Sequence, residues 1–407
     1  MSVFSSSASS SPVSLPLRRS SPFDPPAEYR RLREQEPVSR LAFPDGKVGW
    51  LLTRHQDVRA LLADDRFSSD RQRVSSPVRR FPIRRDGPAA RAGSLIGMDP
   101  PEHTRYRRML TGYFTVRRMR ELAPRIEQIV SEHLDAMERG APPADLVPAF
   151  ARPIPSLVIC ELLGVPYEDK ATFQRCTSTL LRLDASEDEI SAARDELWQY
   201  MLELVAAKRQ HPDGALLGSL IQTGAGDGDL TDERLAGIGQ LLLAAGHETT
   251  ANMLALGTYA LLGRPDQLSA LRQDADLLGS AVEELLRYLT IVQFGTVRVA
   301  REDVDFAGRR IRAGETVVAS LAAADRDPVQ FAEPDELDLA RPASQHVAFG
   351  HGIHQCLGQQ LARVEMKVGY SALFRRFPGL RLAVRPDEVP MRDDMFIYGV
   401  HRLPVAW

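Results

Sequence analysis

One apolar stretch constrains the fold more than any other feature of this 407-residue chain. Residues 235–263 contain His247 and Glu248 as their only acidic or basic side chains. A helix of this length could cross a bilayer. However, the two polar residues fall at its centre, where a charge in lipid is costly, and no second apolar span exists. The pattern therefore favours a long helix that is buried all round inside a large, mainly helical protein.

Composition narrows the class of protein further. Hydrophobic residues make up 43% of the chain, enough for a large core, and the net charge of −3 gives no overall nucleic-acid signal. Only three cysteines occur, which predicts a reducing cytoplasm and no disulfide framework. We expect a disordered Ser- and Pro-rich tail over residues 1–20, with neither signal peptide nor membrane anchor. A single domain over residues 21–407 would follow, and we expect it to be a monomer.

Local patterns predict short elements around a long helical region. Helical periodicity dominates residues 101–274, whereas residues 66–93 form an irregular Pro-, Ser- and Arg-rich stretch of the kind that serves as a lid. The short predicted elements are a helix at 27–36, a hairpin at 38–43 and 48–52, a helix at 55–63, and strands at 296–300 and 316–319.

Cys356 lies in the glycine-rich loop FGHGIHQCLG, residues 349–358, and an amphipathic helix follows directly. Glycines let a backbone approach a bound group closely. The positive end of the following helix dipole favours thiolate over thiol, so we expect an ionised sulfur. A buried thiolate without a partner cysteine suits the axial ligand of a haem iron.

Three other interpretations of this loop stay open at this point. Cys356 could be an inert core cysteine. It could form a zinc site, as in a zinc hydrolase, with His346, His351 and His354, although this spacing departs from the paired spacings of structural zinc. The two loop glycines could open a dinucleotide-binding turn, but Gln355 replaces the third glycine of that motif.

The pattern F-G-x-G-x-H-x-C-x-G resembles the haem-binding signature of the cytochrome P450 monooxygenases at every fixed position. Three further segments resemble the same family in the same order: DPPEHTRYR at 99–107, AAGHETT at 244–250, and Glu284-x-x-Arg287. With residues 397–407, the resemblance spans nearly the whole chain. It is closest to soluble actinobacterial members that hydroxylate antibiotics, macrolides and other lipophilic compounds. It implies a mainly α fold, one large helical domain with small β-sheets at one side.

The resemblance also implies a site. Cys356 would bind the iron of haem b, and Glu248 and Thr249 would deliver protons. Thr249 could instead bond back to the Ala245 carbonyl and merely bend its helix, and both roles can hold together. Partners for the haem propionates would be His103, Arg107, Arg298 and His354. An ion pair of Glu284 and Arg287 would lock to Arg341 as a structural element.

Substrate contacts follow from the same resemblance. They would come from Arg84, Leu95, Ile96, Leu243, Ala244, Val292, Phe294 and Ile397. Outside the lid these positions are mostly apolar and indicate a lipophilic ligand. Residues 66–93 hold eight arginines against two aspartates, so an anionic group such as a carboxylate on the substrate is a further hypothesis.

The implied reaction is insertion of one dioxygen atom into a lipophilic small molecule. Electrons would come from a ferredoxin and its NAD(P)H-dependent reductase, because the chain has no room for a flavin or a second redox module. From Arg105 to Arg125 there are seven arginines against one acid, Glu121. This run is either a solvated helix face or a docking surface for an acidic electron-transfer protein. A haem-binding sensor without turnover is the alternative that is not an enzyme.

Overall fold

A computed structural model of the chain describes residues 11–70, 73–79, 92–224 and 230–407. Over these residues the α-helices are α1 (Glu28–Gln35), α2 (His55–Ala63), α3 (Glu102–Thr111), α4 (Val116–Arg139), α5 (Pro153–Leu163), α6 (Lys170–Leu181), α7 (Glu187–Gln210), α8 (Leu216–Thr223), α9 (Asp232–Leu262), α10 (Pro265–Gln273), α11 (Leu277–Leu289), α12 (Leu321–Ala324) and α13 (Gln359–Arg376). The β-strands are β1 (Val13–Ser14), β2 (Val38–Ala42), β3 (Val48–Leu52), β4 (Phe67–Ser68), β5 (Ala144–Asp145), β6 (Thr296–Ala300), β7 (Val304–Phe306), β8 (Arg309–Ile311), β9 (Thr316–Ala319), β10 (Arg381–Leu382) and β11 (Pro404–Ala406).

The predicted central helix is confirmed as α9. Its start is capped by the Thr231 side chain, which accepts a hydrogen bond from the Arg234 backbone N–H. Asp232 and Glu233 in the first turn complement the positive end of the helix dipole. Most of its remaining residues are buried within the main apolar core. Among the described residues, no helix combines the length and the apolarity that a bilayer crossing requires.

Glycines in α9 allow neighbouring helices to pack closely against it. A Cβ atom on Gly246 would come within 2.7 Å of the Ile159 side chain on α5. One on Gly257 would come within 2.1 Å of the Tyr370 hydroxyl on α13. Both distances are far below van der Waals contact, so these positions accept no larger side chain without displacement of a neighbour. The composition of α9 thus sets how closely α5 and α13 approach it.

The largest sheet has apolar clusters of its own, whereas Leu382 of β10 and Val405 of β11 pack into the main helical core. The largest sheet has the order β1-β2-β3-β9-β6-β4, and the smaller ones are β10-β11-β5 and β7-β8. The predicted hairpin is confirmed, because β2 and β3 pair antiparallel. The predicted strands at 296–300 and 316–319 are β6 and β9, which also pair antiparallel. The mainly α fold with small sheets is as expected.

The predicted tail requires a correction over residues 11–20. Strand β1 pairs in parallel with β2 at the edge of the largest sheet. Further along, the Arg19 guanidinium lies 3.7 Å from the centre of the Tyr398 ring. The prediction failed here because it considered composition alone, whereas an open sheet edge can order even a short Ser- and Pro-rich segment. Residues 1–10 lie outside the described residues.

Candidate active site

The loop before α13 has a backbone that only glycine adopts readily. Gly350 and Gly352 have φ values of +70° and +72°. A Cβ atom on Gly352 would also come within 2.3 Å of the Leu62 carbonyl oxygen at the end of α2. The Cys356 N–H donates to the Phe349 carbonyl at 2.9 Å and closes the turn. The glycines are therefore explained by the conformation of the loop and its contact with α2.

The Cys356 thiol lies deep in the protein, although the residue as a whole is only partly buried. Cβ atoms placed on Gly350 and Gly358, on either side of it, would meet no atom within 4 Å. Cys356 is therefore not the tightly packed core cysteine of the first alternative, whereas Cys160 and Cys176 are fully buried in the core.

The protein alone does not favour the thiolate. Burial raises the pKa of the Cys356 thiol above its ordinary value. The Gly358 amide, Arg107 and Arg363 act in the opposite direction but do not overcome burial. The thiolate stays a prediction for the sulfur bound to a metal ion. A coordinated metal ion would supply the missing positive charge, because coordination deprotonates a thiol outright.

The four residues predicted to bind the haem propionates form one cluster near Cys356. His103 and Arg107 lie on α3, and Arg298 lies on β6. The rings of His103 and His354 have centroids 4.2 Å apart. His103 is only 2% exposed, and neither of its ring nitrogens has a hydrogen-bond partner; the same holds for His354 Nε2. Buried polar atoms without partners in the described protein indicate that a bound group completes the site.

The electrostatics of this cluster fit an anionic group. Burial, together with Arg298 and His103, lowers the pKa of His354 to about 3. Burial lowers the pKa of His103 as well. The nearby acid, Asp99, already pairs with Arg301 at 2.7 Å. The guanidinium groups of Arg107 and Arg298 are suited to hydrogen-bond added carboxylates. The residues present therefore fit the two propionates of a haem.

One face of α9 is accessible although the helix runs through the core. Leu241, Ala244, Ala245 and Thr249 keep accessible surface, and their spacing of three and four places them on one side of the helix. The Thr249 hydroxyl donates to the Ala245 carbonyl at 2.9 Å. The predicted back-bond of Thr249 is thus confirmed. The small alanine side chains leave space along this face.

Helix α13 relates this face to Cys356. The Glu365 carboxyl lies beside the Thr250 hydroxyl, and the Tyr370 hydroxyl donates to the Met253 carbonyl at 2.5 Å. Tyr370 follows Glu365 along α13, and Met253 follows Thr250 along α9, so the two helices run in the same direction where they meet. The N-terminal end of α13, which follows Cys356, therefore lies toward the part of α9 that precedes Thr250. Cys356 and the accessible face of α9 are thereby brought to one region.

Glu248 does not point along the accessible face. Its side chain is 5% exposed, and its Oε2 accepts a hydrogen bond from the Arg392 guanidinium at 3.0 Å. Sequence reasoning missed Arg392, because it lies 144 positions away in a segment without a motif. Only the fold brings the two residues together.

The predicted structural ion pair is confirmed. Arg287 donates to both Glu284 oxygens at 2.7 and 2.8 Å, and both side chains are fully buried. Arg341 donates to the same carboxylate at 3.1 Å. Arg287 also donates to the carbonyls of Asp325 and Pro334, each at 2.8 Å. The pair therefore holds the segment that leads into the Cys356 loop.

The predicted substrate residues fall into two groups. Val292 and Ile397 are joined by an antiparallel bridge, and Phe294 packs edge-on against Phe396 at 5.5 Å. Ala244 lies on the accessible face of α9. Val292 therefore lies beside Ile397 and Phe294 beside Phe396, while the role of these positions in substrate binding stays a prediction.

The other predicted contacts are placed differently. Leu243 is fully buried in the helical core, away from the accessible face of α9, and Leu95 is also buried. Ile96 is 46% exposed. Arg84 lies outside the described residues.

The zinc alternative finds no support in the geometry. His346 Nε2 lies 3.2 Å from the Glu283 carboxylate, and its Nδ1 accepts from the Ala348 N–H. Its ring is therefore engaged on both sides. Across the described ranges, no three His, Cys, Asp or Glu side chains are arranged to hold a metal ion.

Comparison with known proteins agrees with this geometry. Residues 43–397 match the family model described as Cytochrome P450. The chain is 50% identical over 389 residues to Cytochrome P450-SU2 of Streptomyces griseolus. The matched region covers 95% of this chain and 94% of that protein. The crystal structure of CYP105P1 in complex with filipin I matches with a TM-score of 0.93 at 46% identity, covering 98% and 99% of the two chains. The mycinamicin VIII C21 methyl hydroxylase MycCI from Micromonospora griseorubida, solved with mycinamicin VIII bound, matches with a TM-score of 0.90 at 39% identity and covers 96% and 99%. The chain belongs to the cytochrome P450 family and is a haem-dependent monooxygenase.

Proposed function

We propose that this enzyme binds haem b and inserts one atom of dioxygen into a C–H or C=C bond of a medium-sized lipophilic molecule. One observation carries the proposal: the deeply placed Cys356 thiol lies near Arg107, beside buried ring nitrogens of His103 and His354 that have no hydrogen-bond partner among the described residues. His103, Arg107, Arg298 and His354 would hold the propionates. When bound, the haem supplies the activation of dioxygen.

The protein contributes binding, orientation and protons. Cys356 would ligate the iron, and the accessible face of α9 would leave room for dioxygen and substrate. Glu248 would take protons from water, and the Thr249 hydroxyl would pass them to the reacting oxygen. The back-bond to Ala245 orients that hydroxyl and leaves its lone pairs available.

The substrate proposal depends on the apolar contacts and on the relatives. Val292, Phe294, Phe396 and Ile397 present hydrocarbon and aromatic surface. Two matched structures contain filipin I and mycinamicin VIII. We infer a natural product or xenobiotic of similar polarity as the substrate class.

An anionic group on the substrate is a further part of the proposal. Arg79, in the lid, is 3% exposed and lies 4.6 Å from the centre of the Phe396 ring. Its Nε and one Nη have no hydrogen-bond partner. Spectral titration with a carboxylic acid and its methyl ester tests this point. Tighter binding of the acid, abolished in Arg79→Met, is expected; equal affinities would contradict it.

Electrons would arrive at the surface of α3, from a ferredoxin with its NAD(P)H-dependent reductase. His103 and Arg107 face the proposed haem, whereas Arg108 on the same helix is exposed. Arg105 and Arg108 also line a surface hollow of about 850 Å³. An acidic carrier docked here would lie close to the cofactor, separated from it by one helix. Monomeric state and cytoplasmic location stay predictions from the sequence.

The first experiment tests the cofactor. The purified protein, reduced and treated with carbon monoxide, should show the red-shifted Soret band of a thiolate-ligated haem. Cys356→Ala should lose this band, whereas Cys176→Ala, a matched change at a buried cysteine, should keep it. A colourless wild-type protein, or an unchanged spectrum in Cys356→Ala, would refute the proposed ligand.

A second experiment separates an enzyme from a haem sensor. Wild-type protein is incubated with a ferredoxin, its reductase, NADPH and isotopically labelled dioxygen, together with ligands selected by a spin-shift screen. A product that carries one labelled oxygen atom supports the proposal. Ligands that bind tightly in the screen but are never oxidised would favour the sensor.

A further inference from the structure

A half-buried ion pair joins two helices next to the Cys356 loop. Arg363 on α13 donates to both carboxylate oxygens of Glu283 on α11, at 2.6 and 2.9 Å. The two side chains are 19% and 17% exposed. A bidentate contact of this kind fixes the place of a guanidinium as well as its partner. The pair is separate from that of Glu284 and Arg287, which holds the segment before the loop.

The acid of this pair has a second partner, which strengthens its hold on the arginine. The Ala348 N–H donates to His346 Nδ1 at 3.1 Å, so the ring hydrogen lies on Nε2, which faces Glu283 Oε2 at 3.2 Å. Burial opposes ionisation, but the hydrogen bonds from His346 and Arg363 lower the pKa of Glu283 to about 2. The acid is therefore ionised at neutral pH and keeps Arg363 in place.

The guanidinium of Arg363 lies against the ring that begins the Cys356 loop. It is 4.7 Å from the centre of the Phe349 ring. The Phe349 carbonyl accepts the Cys356 N–H at 2.9 Å, so this ring and the thiol belong to one closed turn. Arg363 also donates to the Gln359 side chain in the first turn of α13, at 2.9 Å. The cation is thereby held at a fixed place relative to the sulfur.

The positive member of the pair is the one that acts on the sulfur. Burial raises the pKa of the Cys356 thiol, and Arg107 and Arg363 are the charged groups that oppose this rise. Arg107 is a proposed propionate partner, so a bound haem would engage its charge. Arg363 is held by protein groups instead, and its place does not depend on the cofactor.

We propose that Arg363 is a positioning residue whose charge, fixed by Glu283, makes the iron bound to Cys356 easier to reduce. Reduction by the electron carrier adds one negative charge to the iron and its thiolate, and a fixed cation nearby stabilises the more negative form. Groups around the ligands of a metal tune its potential in this way. One electron enters, and no bond or proton is exchanged. The inference rests on the proposed ligation of haem iron by Cys356.

The test is the midpoint reduction potential of the haem-loaded protein, measured by spectroelectrochemical titration without a ferredoxin, so that docking has no part in it. In Arg363→Met we expect the equilibrium constant for reduction to fall about tenfold, which is 59 mV for one electron. Arg363→Lys keeps the charge and should stay near wild type. Glu283→Gln removes the negative partner and should shift the potential upward. A loosened loop alone would not give shifts of opposite sign.

A control on the same helix makes the result decisive. Arg375 is exposed and lies about 18 Å further along α13, well beyond the screening length of about 10 Å at 0.1 M salt. Arg375→Met makes the same change of charge and should keep the wild-type potential. An unchanged potential in Arg363→Met, or an equal fall in Arg363→Lys, would overturn the inference.

The Glu283→Gln variant decides the matter if Arg363→Met fails to retain haem. A rise in its potential supports the inference, and an unchanged or lower potential overturns it. Failure of the proposed ligand is a different result, because wild-type protein would then lack the Soret band of a thiolate-ligated haem before any potential is measured.

Discussion

Thr249 combines a structural bond with a proposed chemical role, and the two can be separated. Its hydroxyl donates to Ala245 in the helix and faces the accessible side of α9. Thr249→Ala should retain haem and substrate binding but divert reducing equivalents to peroxide, with product yield down about tenfold. The ratio of product to NADPH consumed measures this. Thr249→Ser keeps the hydroxyl and should stay well coupled; full coupling in the alanine variant would contradict the role.

Residue types near Cys356 could be predicted from the sequence, but their electrostatics could not. The motif around Cys356 predicted the proposed iron ligand and His354, and the resemblance of other segments predicted His103, Arg107 and Arg298 as propionate partners. The raised pKa of its thiol depends on how many atoms surround the sulfur, which a sequence does not state. Arg392 was missed for a related reason, because its partner Glu248 is distant in the chain and neither belongs to a shared pattern.

At the scale of elements, the approach of α13 to α9 depends on Gly257. A Cβ atom there would meet the Tyr370 hydroxyl at 2.1 Å and displace the bond that it donates to Met253. Gly257→Ala should therefore lower the free energy of unfolding by about 1–3 kcal/mol, despite the better helix propensity of alanine. Unfolding in denaturant measures this change in the free energy of unfolding. Gly263→Ala, where the nearest atom is 3.5 Å away, is the matched control and should cost little; similar losses in both would count against packing.

The same helix pair contains a buried acid that makes stability depend on pH. Glu365 is 1% exposed, and burial raises its pKa to about 8, although the Thr250 hydroxyl opposes the shift. Neither carboxyl oxygen accepts a hydrogen bond of ordinary geometry. Between the unfolded pKa of 4.5 and about 8, the folded protein retains a proton that the unfolded chain releases, so stability falls as pH rises through this window.

Glu365→Gln replaces the neutral carboxyl by a neutral amide. We expect the variant to match wild type below pH 4.5 and to exceed it at pH 8 by an amount on the order of a few kcal/mol. Urea unfolding of both proteins at the two pH values measures the difference. A difference that is independent of pH would show that the proton on Glu365 is not the cause.

Elements with a strong periodic pattern were predictable, and elements fixed by distant partners were not. Strands β6 and β9 carry alternating or β-branched residues and were placed correctly from the sequence. Strand β1 has two residues and exists because the edge of β2 is open to it. Its order is a property of the assembled sheet, which local composition does not encode.

The whole molecule has a net charge of −3, yet its charges are unevenly distributed. Arg108 on α3 and Arg117 on α4 are exposed, and Arg117 makes only a distant contact of 3.9 Å with Glu121. The sequence left two interpretations of this arginine run, a solvated face or a docking surface. The structure adds that His103 on α3 is buried and that Arg107 lies near the Cys356 thiol.

Docking of an acidic ferredoxin at α3 predicts a rate that depends on salt. Arg108→Glu and Arg117→Glu together should lower the rate of first electron transfer about tenfold at low ionic strength, because a local field steers association. Near 1 M salt the screening length is about 3 Å, so variant and wild type should converge. Stopped-flow reduction under carbon monoxide measures the rate. Arg385→Glu, at an exposed arginine with only weak surface pairs, makes an equal charge change per site and should have little effect. If it slows reduction as much as either Arg108→Glu or Arg117→Glu alone, total charge rather than a docking surface governs the encounter.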